Sequence, residues 1–234
     1  MGREFIDSFH SNPYPGIRKL HKESNDLADE LMRRNALCDN KFRNGAVAPV
    51  LFDIIKKNNL NYMMMTEVIE IKQINSGFEV TVYSSAGQKK IHADILIDTT
   101  SLRESKLPNK PDILSKSISA LLISKDAKYE AAYSTNPLVK LFPGIYDDEI
   151  YMRYSLDTDD DWVTAREKLF NYWHSKKDEL EHWKIAAIAS TFEIMPVVPP
   201  NTPDSSWIWE PSCISANLIE AFDRGIEIGR RMVV

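Results

Sequence analysis

Apolar residues recur along this chain with different spacings, and each spacing predicts a different element. Asp7 to Gly16, with Asn12-Pro13-Tyr14-Pro15-Gly16, is loop-forming, and Ile17 to Asn35 predicts a mostly polar helix. Val50, Leu51, Ile54 and Ile55 form the apolar stripe of a helix from Val50 to Asn58, opened by Gly45-Ala46-Val47-Ala48-Pro49 and ended by Asn58-Asn59. Leu60 to Glu67 then predicts a strand in which Met63-Met64-Met65 suits a pliable core. Val68 to Ile74, Phe78 to Tyr83 and Lys89 to Ala93 predict a meander with turns at Asn75-Ser76-Gly77 and Ser84-Ser85-Ala86-Gly87. Phe78, Val80 and Val82 alternate with Glu79, Thr81 and Tyr83, as a half-buried strand requires.

Asp94-Ile95-Leu96-Ile97-Asp98 is a continuous apolar run bounded by acids, the pattern of a strand covered on both faces. It runs into Thr99-Thr100-Ser101, at the strand end where α/β sheets bind ligands. From Ser115 onward the pattern predicts a second sheet, with strands at Ile118 to Ser124, Val139 to Phe142, Glu149 to Ser155 and Ala186 to Ile194. A long helix from Trp162 to Trp183 follows the acids Asp160-Asp161, which suit the positive end of its dipole. Ser206 to Trp209 predicts a short buried strand, and Ser212 to Met232 the last helix.

Composition narrows the function classes. The 234 residues are 43% hydrophobic and 27% charged with a net charge of -5, so nothing basic points to nucleic acid or an anionic membrane. No stretch is apolar for the length that crosses a bilayer, and Met1-Gly2-Arg3-Glu4-Phe5 is unlike a signal peptide, so the chain reads as soluble and cytoplasmic. Cys38 and Cys213 make no disulfide framework. His10, His21, His92, His174 and His182 show no HxH, HxxxH or HExxH spacing, so no metal site is expected. Asp157, Asp159, Asp160 and Asp161 read as a solvated acidic turn. The aromatics of the long helix, with Trp207 and Trp209, read first as a helix laid across a sheet and second as a substrate pocket. No nucleophile–base arrangement identifies a catalytic side chain.

The order of helix, strand, meander and apolar strand resembles FAD-dependent oxidoreductases of the two-domain, glutathione-reductase-like superfamily. In that family the meander ends in Ala-Asp-x-Val-Ile-x-Ala-Thr-Gly. Ala93-Asp94-Ile95-Leu96-Ile97-Asp98-Thr99-Thr100-Ser101 is similar to it, with Ser101 in place of the glycine. Gly2-Arg3-Glu4 and the closing Ala221-Phe222-Asp223-Arg224-Gly225 resemble further family segments. The resemblance implies an α/β fold: a partial FAD/NAD(P)-binding Rossmann-like layer with a β-meander, plus a substrate lobe of mixed sheet and one long helix. It implies residues 1–114 and 196–234 as the partial FAD-binding lobe, and 115–195 as the substrate-binding lobe. FAD is the implied cofactor, with Arg3, Glu4, Val68, Thr99, Thr100, Ser101, Glu210, Ser212 and Asn217 as the residues toward it. A small molecule of unidentified kind is the implied substrate.

The departures from the family are specific. The sequence holds no GxGxxG, the turn that lets a backbone approach a pyrophosphate at a helix N-terminus. Trp209-Glu210 stands where the family has Gly-Asp, and an indole cannot replace a glycine where backbone meets ligand. The family's central strand carries that glycine turn, so the sheet is expected to be completed by a missing N-terminal segment, by a partner chain, or by a rebuilt arrangement. Two functions follow: a flavin-dependent oxidoreductase represented by its later part, or a non-catalytic, cofactor-free relative acting as a binding or accessory chain.

Overall fold

The computed structural model describes residues 20–103, 105, 110–124, 126, 134–175, 180–198 and 206–232. Helix α1 (Lys22–Arg33) buries Ser24, Leu27, Ala28 and Leu31 along one stripe. Its end is set by Asn35, which is left-handed at φ 54° while Asn35 and Ala36 donate their amides to Met32 and Leu31. A two-residue hairpin follows, β1 (Leu37–Cys38) against β2 (Lys41–Phe42). Helix α2 (Asn44–Lys57) starts earlier than its apolar stripe suggests, with Pro49 inside it. The same left-handed asparagine device closes it at Asn59, where Leu60 donates to Ile55. These helices pack on the last one, α4 (Leu218–Met232), through Leu27, Leu31, Val47, Val50, Leu218 and Ile219. Each such side chain contributes about 1.5–3 kcal/mol by leaving water.

The meander forms as the alternation predicts. β3 (Glu67–Ile74), β4 (Gly77–Ser84) and β5 (Gly87–Ala93) pair antiparallel in that order. The first turn requires glycine: Gly77 has φ +114°, and a Cβ there would lie 2.3 Å from the Ala93 carbonyl oxygen. Phe78, Val80 and Val82 face Leu96 and Trp207. β6 (Leu96–Asp98) and β12 (Trp207–Trp209) then form a separate, parallel two-stranded sheet.

The five-stranded sheet of the second lobe is built on β7 (Ile113–Ile123). β9 (Glu149–Leu156) pairs with one edge of β7 and carries β8 (Val139–Pro143) on its far side. β10 (Lys184–Ile188) and β11 (Glu193–Pro196) share the other edge of β7. All these pairings are antiparallel, where a mixed sheet was expected. Helix α3 (Trp162–Ser175) lies across the face formed by Ile118, Ala120, Leu122, Ile150, Met152 and Tyr154. The helix-across-sheet reading of its aromatics holds, with Tyr172 in this core and Trp162 and Trp173 packed against it.

Several expectations fail for identifiable reasons. Residues 60–66 are irregular rather than a strand, and Met65 is 87% exposed and left-handed at φ 50°. No described strand lies beside this segment, and a strand without a partner gains nothing from extension. Ile95 and Ile97 are 38% and 39% exposed, so the apolar run is not covered on both faces. Helix α3 does not reach Trp183: residues 180–183 form a turn, and His182 sits there instead of on the helix with His174. The strand expected from Ala186 to Ile194 is broken into β10 and β11, each finding its own register on β7. The acidic turn is only partly solvated: Asp160 is buried, pairs with the Lys168 ammonium at 2.7 Å, and its carbonyl accepts Lys116. The Asp157 and Asp160 carboxylates, both bonded to Lys168, hold its pKa above the ordinary value.

Candidate functional site

The carboxyl ends of β6 and β12 converge on the start of α4, and the site is built there from the backbone outward. Asp98 ends β6 and is buried. One of its oxygens accepts the Thr100 amide at 2.9 Å and the Thr100 hydroxyl at 2.6 Å, an Asx-type turn. The other accepts the Ser105 amide at 2.9 Å and the Ser105 hydroxyl. The carboxylate thereby organises the whole described part of the loop after β6. The Trp207 indole donates to the Ser105 hydroxyl at 3.0 Å, and the Trp209 indole donates to the Thr100 carbonyl at 2.8 Å. Trp209 is 2% exposed, and its ring closes over the Thr100 carbonyl at the exit of β6.

The chain from β12 to α4 is not one helix. A single 3₁₀ turn, Ser212–Ile214, precedes α4, and Ser212 spends its amide and hydroxyl on the Thr99 carbonyl at 3.1 and 3.4 Å. Ser212 is therefore not the cap of the last helix. Asn217 is: its side-chain oxygen accepts the amides of Ile219 and Glu220, each at 3.1 Å. Asn217 is 0% exposed, and its side-chain NH₂ has no hydrogen-bond partner among the described residues. Glu210 is buried and paired with Arg224 at 2.6 Å, a contact that raises the guanidinium pKa.

The structure thus brings Thr99, Thr100, Ser101, Glu210, Ser212 and Asn217 around the ends of one parallel strand pair. Val68 lies apart, 52% exposed on the edge strand β3, and is not packed in a core. Arg3 and Glu4 lie outside the described residues. Sequence reasoning missed Asp98, Arg103, Ser105 and Arg224 as site-forming residues. The only local signal was the Asp-x-Thr spacing of an Asx turn. Among the described residues no group of three or more His, Cys, Asp or Glu side chains is placed to hold a metal ion.

Two further features flank this centre. A cavity of about 380 Å³ opens beside α4, lined in part by Glu210, Glu220, Asp223, Arg224 and Glu227. Its carboxylates suit no anion. Asp223 ties α1 to α4, accepting the His21 amide at 2.8 Å and the Ser24 hydroxyl at 2.6 Å. Burial pushes its pKa up, but these hydrogen bonds outweigh burial and leave it below the ordinary aspartate value. On the five-stranded sheet, the face turned away from α3 carries Ser119, Tyr151 and Arg153 by strand alternation. Arg153 pairs with Glu193 at 2.9 Å, and burial lowers its pKa against that pairing. Tyr151 is pushed up to about 12 by burial, and the hydroxyl of Ser119 is buried without a partner among the described residues.

No protein-family model matches the chain, and no curated protein sequence is similar to it. Solved structures are similar in fold. Glycine oxidase from Geobacillus kaustophilus is similar over 87% of this chain and 62% of its own, at 10% identity and a TM-score of 0.53. Aklavinone-11 hydroxylase, solved with FAD and aklavinone, is similar over 86% of this chain and 44% of its own, at 11% identity and a TM-score of 0.50. p-Nitrophenol 4-monooxygenase from Pseudomonas putida DLL-E4 is similar over 73% of this chain and 46% of its own, at 13% identity and a TM-score of 0.47. This chain spans less than two thirds of each. No described helix is long and apolar enough to cross a membrane.

Proposed function

We propose, from the FAD-dependent oxidoreductase fold that the chain has, that it forms the substrate lobe and the later part of the cofactor lobe of a flavin-dependent oxidoreductase acting on a small molecule. One observation carries the reading: the side-chain NH₂ of Asn217, fully buried at the α4 N-terminus, has no partner among the described residues. A buried donor left unpaired costs about 1–3 kcal/mol. A carbonyl at that place removes the cost, and the helix N-terminus favours the partial negative charge of such an oxygen. The carbonyl edge of a flavin ring has this chemistry, so the residues here fit that part of FAD. FAD, when bound, supplies the redox chemistry. In this reading the Asn217 side-chain NH₂ orients the ring, Ser212 fixes the approach of α4 to β6, and the Ser119–Arg153–Glu193 face of the substrate lobe positions the small molecule.

The phosphate-cradling glycine turn is absent from the sequence, so the reading includes a further strand. β6 bonds β12 through Leu96 and Asp98, which leaves the peptide groups of Ile97 on the other edge, where no described strand pairs. A parallel strand from an upstream segment or a partner chain fits that edge. The setting is proposed to be cytoplasmic, in keeping with Cys38 and Cys213 both being free thiols. A second reading, a cofactor-free accessory chain, is favoured by the Trp209 ring at the exit of β6.

The test is the visible spectrum of the protein purified from its native source, followed by heat release of the bound flavin. Asn217→Asp keeps the capping oxygen but removes the donor, whereas Asn217→Ala removes both. Flavin affinity is expected to fall in both variants and helix stability only in the second. A folded native protein that is colourless and takes up no added FAD would sink the flavin reading in favour of the accessory one.

A further inference from the structure

The loop leaving β6 holds a cation that nothing in the described structure neutralises. Arg103 sits in this loop with φ 54°, the left-handed region that costs any residue but glycine. Strain of this kind persists only where the surroundings enforce it, and it concentrates at ligand sites. The surroundings here are two indoles. The guanidinium carbon lies 4.3 Å from the centre of the Trp207 ring and 5.5 Å from that of Trp209. Both rings are themselves fixed, one through Ser105 and the other through the Thr100 carbonyl. The Arg103 Nε–H is buried and finds no acceptor among the described residues, and no described carboxylate pairs with the guanidinium. The described acids nearby are committed elsewhere. Asp98 holds Thr100 and Ser105, and Glu210 holds Arg224.

We propose that Arg103 is an anion-binding residue, aimed by Trp207 and Trp209, that takes a phosphate or diphosphate group at the carboxyl end of β6 and β12. Three properties select this class. The guanidinium fork pairs bidentately with phosphate oxygens. The strand ends of an open α/β sheet are where such ligands lie. The aromatic platform leaves the edge of the fork as its hydrogen-bonding surface. The phosphate belongs either to a dinucleotide or to a free phosphate compound. Only the first of these rests on the flavin reading above.

The two indoles provide a readout that needs no enzymatic activity. The full chain is titrated with inorganic pyrophosphate while tryptophan emission is followed, and with FAD and riboflavin by calorimetry. Pyrophosphate is expected to change the emission of the wild type and to lose at least about tenfold in affinity in Arg103→Gly. Glycine relieves the left-handed turn, so this variant folds without backbone strain there. Arg103→Lys keeps the charge but not the fork, and is expected to fall between the two. Trp207→Phe removes most of the optical response. The proposal is overturned if pyrophosphate leaves wild-type emission unchanged, or if Arg103→Gly titrates like the wild type. Binding of FAD and riboflavin alike, without any pyrophosphate response, overturns it while sparing the flavin reading. Arg103-dependent pyrophosphate binding without FAD binding supports it as a free-phosphate site and counts against the flavin reading.

Discussion

Asp98→Asn tests whether one carboxylate holds the strand exit together. Each Asp98 oxygen takes one backbone amide and one hydroxyl, from Thr100 on one side and Ser105 on the other. An asparagine keeps only one oxygen, so its NH₂ must face one of these amide–hydroxyl pairs. The hydroxyl turns and accepts from it. The backbone N–H cannot, and at a site this buried it is left without an acceptor. That orphan amide costs about 1–3 kcal/mol, and the two surviving bonds lose the strength that an ionised acceptor gives. The sum is about 2–4 kcal/mol. Urea unfolding followed by tryptophan emission measures it, because Trp207 and Trp209 both bond to this loop. Asp94→Asn, four residues earlier on an exposed position, is the control and is expected to stay within about 0.5 kcal/mol of the wild type. An Asp98→Asn protein as stable as that control would refute the carboxylate-centred account of the loop.

Leu169→Ala, at a fully buried position under the five-stranded sheet, is expected to cost about 2–5 kcal/mol in the same unfolding measurement. The contact between α1 and α4 is expected to weaken in acid. The folded pKa of Asp223 lies below its ordinary value, so its contribution is complete above the unfolded pKa of about 4. It is lost as pH falls through the lower folded value, and Asp223→Asn is expected to flatten that part of a stability–pH curve. Amide hydrogen exchange is expected to be fast at Ile97, whose N–H points to the open edge of β6, and slower at Leu96 and Glu210, which bond across to the neighbouring strand at 2.8 and 2.9 Å. Equal protection at all three would mean that the edge is already covered.

Legibility followed the range of the forces involved. The meander was readable because its alternation and its Gly77 and Gly87 turns are local, and both glycines do take positive φ. The end of α2 was readable for the same reason, since Asn59 supplies a left-handed residue at the right place. The start of α4 was misread because Ser212 is a good cap by type. The spacing Asn217-x-x-Glu220, a capping-box-like signal, pointed to the true one. Leu60 to Glu67 was misread because apolar content alone cannot report whether a neighbouring strand exists to pair with it. Asp98, Arg103, Trp207 and Trp209 meet across about a hundred residues of chain, and no short-range pattern announces such a meeting. The Asp-x-Thr turn shows only the first of Asp98's two grips.

The way the two cores are threaded has a consequence for synthesis. Every strand of the five-stranded sheet pairs within 113–196, so this lobe is a contiguous stretch that can close as soon as it clears the ribosome. The helical core of the other lobe joins Leu27 and Leu31 to Leu218 and Ile219, from opposite ends of the chain. α1 therefore emerges nearly two hundred residues before the helix that covers its apolar stripe. During translation that stripe stays open to chaperones and to other nascent chains, and a ribosome that stalls between β11 and α4 releases a product with one finished lobe and one unclosed core.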